Sequence, residues 1–355
     1  MFFYEYELGK AASILARDLF KLKPGETFVI TADTECDARV VDATAAAAFS
    51  VGAKPMVIWL ASPLGVGKAA DPMLPVEALT AALKEADAWV EFNNQWLLYS
   101  TPYDIAMKEN KKLRHLNLVG MNPDMMTRCI GRVDYPTLHE FMEKITEITV
   151  DAKHVRLTTP AGEDVEFDNA KIEGGKQNPN YLITLETGRA DVPGSHMMAG
   201  QILWTPDLES VNGTIVFDGS LVPPCGKLEE PVRLTIRAGE IIKVEGGKEA
   251  REFETWMRSF NHPRMLKLAH LSYGFNPGAK LTGDIVEDER VWGCTEWGVG
   301  NIGAILIRPN GIPAPSHSDG ICLNTSIWLD GKQIMEEGRQ IDPDLAKFAQ
   351  KLGKA

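Results

Sequence analysis

The first part of the chain alternates between short apolar runs and segments in which apolar residues recur at helical intervals. Helical spacing begins at residues 8–19, and the run at 27–31 has the β-branched and aromatic content of a strand. Further strands are predicted at 55–60, 88–92 and 113–119, and further helices at 38–51, 75–86, 102–111 and 136–148. Such repetition is typical of a mostly parallel sheet with helices on both faces.

After about residue 150 the pattern changes to hairpins. Two stretches, 155–163 and 232–240, agree at all but two positions and each place a glycine between alternating segments. They are either a duplicated hairpin or two sequences with the same turn chemistry. More strands are predicted at 214–217, 241–244, 304–307 and 321–329, and a helix at 248–260. We therefore predict an α/β fold class, with an N-terminal, mostly parallel α/β sandwich domain at 1–149 and a β-rich, mainly antiparallel domain at 150–355.

The stretch 312–320, Ile-Pro-Ala-Pro-Ser-His-Ser-Asp-Gly, carries candidate metal chemistry. Its two prolines favour extended chain, in which side chains two residues apart share a face, so His317 and Asp319 can converge on one point. Of the seven histidines, His270 is the best placed to supply a third ligand, at the end of an apolar run. Two histidines and one aspartate on one face of a metal are typical of non-haem Fe(II) oxygenases. A His-x-Asp pair is more often part of a surface turn or of a hydrogen-bonded loop.

Four patches of the chain resemble the 2,5-dihydroxypyridine 5,6-dioxygenases, a family distantly related to metallo-aminopeptidases. They are 97–100, 186–200, 269–274, and 315–319 together with 327–330. The resemblance implies that His270, His317 and Asp319 hold a mononuclear, non-haem Fe(II) in the C-terminal domain. It also implies dioxygen as a co-substrate and extradiol-like cleavage of a hydroxylated N-heteroaromatic ring, such as 2,5-dihydroxypyridine, which would give N-formylmaleamate.

The same resemblance implies roles for residues around the ring. It assigns Glu186 to orienting the substrate and His196 to acid–base work, whereas the residues alone indicate a solvated loop glutamate and a hydrogen-bonded loop histidine. Tyr99 stands where family members have a histidine, and a phenol donates well but accepts a proton poorly at neutral pH. Leu98 is a candidate pocket wall, although such a residue is more often part of the core. Arg290 is a candidate partner for an anionic substrate, or else an exposed salt-bridging arginine.

A metallo-aminopeptidase-like hydrolase is the main alternative. Glu186, His317 and Asp319 would match three of the ligands of that family's two metals. His270, however, replaces a second glutamate, and Thr295 stands where another histidine belongs, so a second metal would lack ligands. This favours a dioxygenase. A protein that binds a metal without catalysis is a third hypothesis.

Charge and cysteine content limit the remaining function classes. A net charge of −12 argues against a nucleic-acid partner, since phosphate binding needs a positive surface. The Gly-Val-Gly-Lys at 65–68 lacks the first glycine and the Ser or Thr of a phosphate-binding loop.

Five cysteines without a Cys-x-x-Cys pair fit a reducing cytoplasm. The N-terminus lacks the basic start of a signal peptide, and no membrane span is predicted. We also expect a homo-oligomer.

Overall fold

The computed structural model describes residues 5–170 and 178–354; residues 1–4, part of the segment in which a signal peptide would begin, lie outside the described residues. The α-helices are α1 (Glu5–Ile14), α2 (Ala38–Ser50), α3 (Val76–Glu85), α4 (Thr101–Glu109), α5 (Pro123–Met126), α6 (Tyr135–Asp151), α7 (Lys248–Ser259), α8 (Ile285–Asp288) and α9 (Pro343–Lys351). The strands are β1 (Thr27–Asp33), β2 (Lys54–Leu60), β3 (Ala88–Glu91), β4 (Arg114–Asn117), β5 (His154–Thr158), β6 (Asp164–Asp168), β7 (Ile183–Glu186), β8 (Gly194–Met197), β9 (Gln201–Trp204), β10 (Asn212–Phe217), β11 (Ser220–Val222), β12 (Gly226–Lys227), β13 (Val232–Arg237), β14 (Glu240–Glu245), β15 (Leu268–Gly274), β16 (Thr295–Ile302), β17 (Ile312–Cys322), β18 (Ser326–Leu329), β19 (Lys332–Glu336) and β20 (Arg339–Gln340). Short π-helical segments at Leu15–Leu19 and Thr127–Gly131 follow α1 and α5, and 3-10 segments occur at Gly67–Met73, Leu208–Ser210 and Pro263–Leu266.

One compact unit comprises Met1–Val133 and Glu186–Ala199. Its described strands form one parallel sheet in the order β2-β1-β3-β4-β8. A core of buried apolar side chains that includes Val29, Leu83, Trp89 and Leu97 packs on this sheet. The predicted parallel α/β architecture is therefore confirmed, because the alternating strands and helices of the sequence fold as βαβ units. The edge strand β8 comes from a part of the sequence in which no strand was predicted.

The second compact unit comprises Asp134–Leu185 and Gly200–Ala355. Its described strands form two sheets, in the orders β14-β13-β10-β6-β5-β18-β19-β20 and β12-β11-β17-β16-β15-β9-β7, built from antiparallel pairs such as β10–β13, β15–β16 and β16–β17. The β-rich, antiparallel character of the second half is thus confirmed. The division into domains at 1–149 and 150–355 stays a prediction, and the compact units have different bounds.

Both predicted hairpins are present and lie in the same sheet. The β13–β14 turn is tight, with left-handed φ values of 48° at Ala238 and 71° at Gly239, which suit the twist of a two-residue hairpin. The β5–β6 connection is longer, running from residue 159 to 163. The near-identical sequences therefore share the hairpin but differ in the length of its turn.

Two strand predictions in the second half need correction. Residues 304–306 form a turn in which the amides of Leu306 and Ile307 donate to the carbonyl of Gly303, at 3.0 and 3.2 Å. The side chains of Leu306 and Ile307 pack with Ala269 and Ile302 in a small core. This apolar run therefore reflects burial in a turn and not a strand. The strand predicted at 321–329 is interrupted between β17 and β18, where Asn324 has a φ of 53°. Among the described residues, no helix is long and apolar enough to cross a membrane.

Candidate active site

Two strands of the seven-stranded sheet, β15 and β17 on either side of β16, bring the three candidate metal ligands together. His270 lies inside β15, and His317 and Asp319 lie on β17, two residues apart on one face as predicted. The three side chains each offer a ligand atom within 4.8 Å of the others. Nε2 of His317 is 2.8 Å, and Nε2 of His270 is 3.7 Å, from Oδ1 of Asp319. His270 stands within the strand and not at its end, so its position is fixed by the sheet.

A glycine on the intervening strand makes room for the two imidazoles. Gly298 of β16 pairs with Asp319, and the rings of His270 and His317 stack with centroids 5.1 Å apart and planes 10° apart. A Cβ at Gly298 would lie 2.5 Å from Cε1 and Nδ1 of His270 and 2.9 Å from Cε1 of His317. Since such distances are shorter than any ordinary carbon contact, every other residue here would displace a ring. No pattern in the sequence points to this role, because it depends on strand register.

The hydrogen bonds of His317 leave its other nitrogen facing a carboxylate. Nδ1 donates to the carbonyl of Asn301 at 2.7 Å, which fixes the orientation of the ring. In a neutral imidazole Nε2 is then a lone pair, and it points at Oδ1 of Asp319 across 2.8 Å. Two acceptors at that distance need a proton or a cation between them. Histidines that bind metals commonly donate their far nitrogen to a backbone carbonyl in this way.

A buried carboxylate that was not predicted lies beside His270. Oε1 of Glu296, on β16, is 2.9 Å from Nε2 of His270, and its Oε2 accepts from Oγ of Ser272 at 2.6 Å and from Nε2 of Gln201 at 3.3 Å. Nδ1 of His270 is buried and has no hydrogen-bond partner among the described residues. Glu296 could have been found only from the pairing of β15 with β16, which places it near His270.

The site is electronegative, as the pKa shifts indicate. Burial by itself lowers the pKa of His270, but the carboxylates of Glu296 and Asp319 raise it to about 9. Burial raises the pKa of Glu296. For Asp319 burial also acts to raise the pKa, but His317 and His270 hold it well below its usual range. Without a metal, these buried imidazoles and carboxylates must share protons. They are ligands of the kind that bind a divalent cation such as Fe(II).

Arg290 is buried, with 1% of its surface exposed, and is not the exposed arginine that the sequence also allowed. Its guanidinium donates to the carbonyl of Val286 at 2.7 Å and forms a close ion pair with Glu289. Nε2 of Gln201 also donates to Glu289, at 2.9 Å. Burial raises the pKa of Glu289 to about 7, although Arg290 acts to lower it. The protein itself therefore engages this guanidinium, and a substrate role for Arg290 stays a prediction.

Tyr99 and Leu98 lie in the first compact unit, in the loop between β3 and α4. Leu98 is buried, whereas Tyr99 is 53% exposed and has a left-handed φ of 67°, which is uncommon for a residue with a Cβ. Gly67 supports this loop: its amide donates to the carbonyl of Trp96 at 3.0 Å, and a Cβ there would lie 3.1 Å from the carbonyl of Leu98. The glycines at 65–68 thus belong to a 3-10 segment and to the loop before it. Gly67 of this segment packs against residues 96–99.

Glu186 and His196 are both held at β8 of the same unit. Glu186 is buried and not solvated, and its Oε2 accepts from the amide of Met197 at 3.0 Å. His196 is half-buried within the strand, and its Nε2 donates to the carbonyl of Val192 at 3.0 Å, which leaves the lone pair on Nδ1. Burial lowers the pKa of His196, so the ring is neutral at neutral pH. Both residues are therefore held at β8, His196 as part of the strand and Glu186 through the amide of Met197.

Comparison with known proteins decides the family. The model of the 2,5-dihydroxypyridine 5,6-dioxygenase family matches residues 15–342. The chain belongs to this family. A similar family protein is the 2,5-dihydroxypyridine 5,6-dioxygenase of Pseudomonas putida, which is 26% identical over 330 residues, covering 87% of this chain and 89% of that protein. The family recognised from the four sequence patches is thereby confirmed.

Two solved structures share the fold of this family member. The 2,5-dihydroxypyridine dioxygenase of Pseudomonas putida KT2440 has a TM-score of 0.75 at 21% identity, over 96% of this chain and 99% of that chain. Wild-type AmpT from Thermus thermophilus has a TM-score of 0.69 at 14% identity, over 95% of this chain and 100% of that chain. Both likenesses extend over nearly the whole chain, so the described architecture is that of the family.

Proposed function

We propose that this family member is an Fe(II)-dependent, non-haem dioxygenase that opens the ring of 2,5-dihydroxypyridine or of a close relative. The observation that carries the proposal is the His270, His317 and Asp319 cluster, whose ligand atoms lie within 4.8 Å of one another on the two strands that flank β16. The Pseudomonas putida relative bears the name of this activity. Ring cleavage would consume dioxygen and give N-formylmaleamate from 2,5-dihydroxypyridine.

His270, His317 and Asp319 would hold the iron, which when bound supplies open positions for the ring hydroxyl and for dioxygen. Asn301 keeps Nδ1 of His317 occupied, so Nε2 is the nitrogen available to the metal. Glu296, buried beside His270, adds negative charge that favours a divalent cation. Its hydrogen bonds from Ser272 and Gln201 hold the carboxylate in place.

Glu186, His196 and Tyr99 would handle the substrate and its protons. The neutral imidazole of His196 has its lone pair on Nδ1 and can accept a proton there. Glu186 has one oxygen held by the amide of Met197, which gives a carboxylate of fixed orientation to hydrogen-bond a ring N–H or hydroxyl. Tyr99 presents a phenol that donates but hardly accepts at neutral pH. Leu98 and Arg290 complete the proposed set as a pocket wall and a compensating positive charge.

A hydrolase of the metallo-aminopeptidase kind is not favoured. Among the described residues, one group of three His, Cys, Asp or Glu side chains has the spacing of a metal site. A water-activating clamp of two metals needs ligands for a second ion. In the place of a further histidine stands Thr295, whose hydroxyl shares a hydrogen bond with Thr325 at 3.0 Å.

A cytoplasmic location is part of the proposal, supported by cysteines at 36, 129, 225, 294 and 322 that are all free thiols. The family is consistent with a small hydroxylated aromatic compound as the substrate. Formation of a homo-oligomer stays a prediction, which size-exclusion chromatography with light scattering would test.

The proposed reaction is tested by loading metal-free protein with Fe(II) without oxygen and then adding 2,5-dihydroxypyridine and oxygen. We expect loss of the substrate absorbance, uptake of about one dioxygen per ring opened, and a ring-opened amide by mass spectrometry. The matched controls are protein loaded with Zn(II) and the Asp319→Ala variant treated with Fe(II). Turnover that is equal with Zn(II), or that consumes no oxygen, would contradict the proposal.

A further inference from the structure

A fully buried histidine in the first compact unit has both ring nitrogens engaged. His115 lies on β4, between β3 and β8 in the parallel sheet. Its Nδ1 is 2.9 Å from Oγ of Ser195 on β8, and its Nε2 is 3.1 Å from Oε2 of Glu91 on β3. Glu91 is also fully buried. One imidazole thus ties together three neighbouring strands at a depth where water does not compete.

The chemistry of these groups fixes the direction of the hydrogen bonds. A carboxylate only accepts, so Nε2 of a neutral His115 carries the proton and donates to Glu91. Nδ1 is then the acceptor of the Ser195 hydroxyl, and the oxygen of Ser195 accepts from the hydroxyl of Tyr103, with which it shares a hydrogen bond. The donors point one way, from Tyr103 to Glu91, and such aligned chains polarise and strengthen one another.

At its Glu91 end, this series of hydrogen bonds holds the loop that carries Tyr99. Oε1 of Glu91 accepts from the backbone amide of Leu97 at close range and from that of Leu98 at 3.4 Å. Tyr99 follows directly with its left-handed φ of 67°, a conformation that a residue with a Cβ keeps only where its surroundings hold it. Glu91 therefore binds the two amides that lead into the strained residue.

At its other end, the same series of hydrogen bonds contacts Tyr99 through the ring of Tyr103. The ring of Tyr103, on α4, packs edge-on against the ring of Tyr99, with centroids 6.0 Å apart, and against the ring of His115, with centroids 5.4 Å apart. The hydroxyl of Tyr103 bonds to Ser195, whose chain neighbour is His196. The Tyr99 loop and the strand of His196 are thus tied to one buried network.

We propose that Glu91, His115, Ser195 and Tyr103 form a positioning chain that sets the Leu98–Tyr99 loop against β8, the strand that carries His196. None of the four is assigned contact with substrate or metal. The catalytic meaning of the inference rests on the proposed function of Tyr99 and His196. The structural part, that His115 holds the loop through Glu91, can be tested without any turnover.

The test removes the two bonds of His115 while keeping its ring. His115→Phe retains a flat ring against Trp89, whose centroid is 4.2 Å away, but it leaves the carboxylate of Glu91 without its donor. A buried carboxylate without a partner moves or takes up a proton, and either change weakens its hold on Leu97 and Leu98. Site-resolved amide hydrogen exchange of these two residues should then accelerate about tenfold or more.

A matched control separates this local effect from general destabilisation of the strand. Arg114→Gln changes the neighbouring residue of β4, whose guanidinium bonds to Glu26 and to the carbonyl of Phe20, both at 2.7 Å. It should lower the denaturant midpoint without selectively accelerating the Leu97 and Leu98 amides. A folded His115→Phe protein that protects these two amides as well as wild type does would overturn the proposal.

Ser195→Ala serves as a second variant if His115→Phe does not fold. It removes the hydroxyl between Tyr103 and His115 at little loss of volume, and faster exchange at Leu98 is expected; unchanged exchange overturns the chain. In active protein, His115→Phe should raise KM and lower kcat with iron content unchanged, and His115→Gln should restore part of the loss. Absence of dioxygenase activity in the wild type would contradict the proposed function, whereas the positioning chain would still stand or fall by the exchange of the Leu97 and Leu98 amides.

Discussion

Gly298 of β16 lies opposite Asp319 of β17, and a methyl group at this glycine would lie 2.5 Å from the ring of His270. Because a ring cannot keep its place at that distance, Gly298→Ala should turn His270 away from the site. We expect iron affinity to fall about tenfold or more, as is typical when the orientation of a ligand is disturbed. Competition with a chelator measures this affinity.

The matched control is Gly303→Ala, where the new methyl would lie 3.6 Å from Cγ2 of Ile305, an ordinary contact. This variant should bind iron as the wild type does. Equal affinities for Gly298→Ala and the wild type would mean that His270 is not a ligand or that the sheet relaxes around the new methyl.

The shared face of His317 and Asp319 was predictable from the sequence because a strand repeats its faces every two residues. His270 was singled out by its place beside an apolar run, and the family resemblance then implied that it is a ligand. Glu296 and Gly298 were not predictable, because they matter only through the pairing of β15, β16 and β17, and a sequence does not state which strands pair. For the same reason the apolar run at 304–307 was wrongly predicted as a strand: periodicity reports burial, and both a strand and a packed turn are buried.

His196 should act as a base whose pKa lies below its ordinary value, since burial lowers it. A base works when deprotonated, so kcat should rise with pH through a value below about 6.5 and then level off.

His196→Gln and Glu186→Gln should each keep their iron while turnover falls roughly a hundredfold. Asp191→Asn, in the loop between β7 and β8, should turn over normally. Loss of iron in either of the first two variants would instead make the residue a ligand.

Tyr99 should limit the reaction of 2,5-dihydroxypyridine, because a phenol accepts protons poorly at neutral pH. Tyr99→His should raise kcat/KM on this substrate and add a limb to the pH–rate profile near the ordinary pKa of imidazole, about 6.5. Tyr99→Phe should raise KM if the hydroxyl donates a hydrogen bond to the ring. Fast turnover by the wild type, unaffected by both changes, would mean that Tyr99 only packs.

Glu163 should make the protein less stable as the pH rises. Burial raises its pKa from 4.5 to about 8, although the indole of Trp297 donates to it at 3.1 Å. Between these pH values the unfolded state releases a proton that the folded state keeps. The free energy of unfolding therefore falls with rising pH, by up to about 1.4 kcal/mol per unit for this group.

Glu163→Gln keeps the shape but cannot ionise, so it should match the wild type near pH 5 and be more stable at pH 8. Urea unfolding across this range measures the difference. Glu166→Gln is the control, because its side chain is 62% exposed and should leave the pH slope unchanged. Parallel curves for wild type and Glu163→Gln would show that Glu163 ionises in the folded protein.

Metal analysis of protein purified without oxygen tests the central claim most directly. We expect about one iron per chain in the wild type, since two imidazoles and one carboxylate complete a single site. His317→Ala and Asp319→Ala should lose the iron, whereas His154→Ala, which removes a half-exposed histidine bonded to Asp168, should keep it. About two zinc ions per chain together with hydrolysis of amino-acid amides would contradict the dioxygenase proposal and point to a two-metal hydrolase.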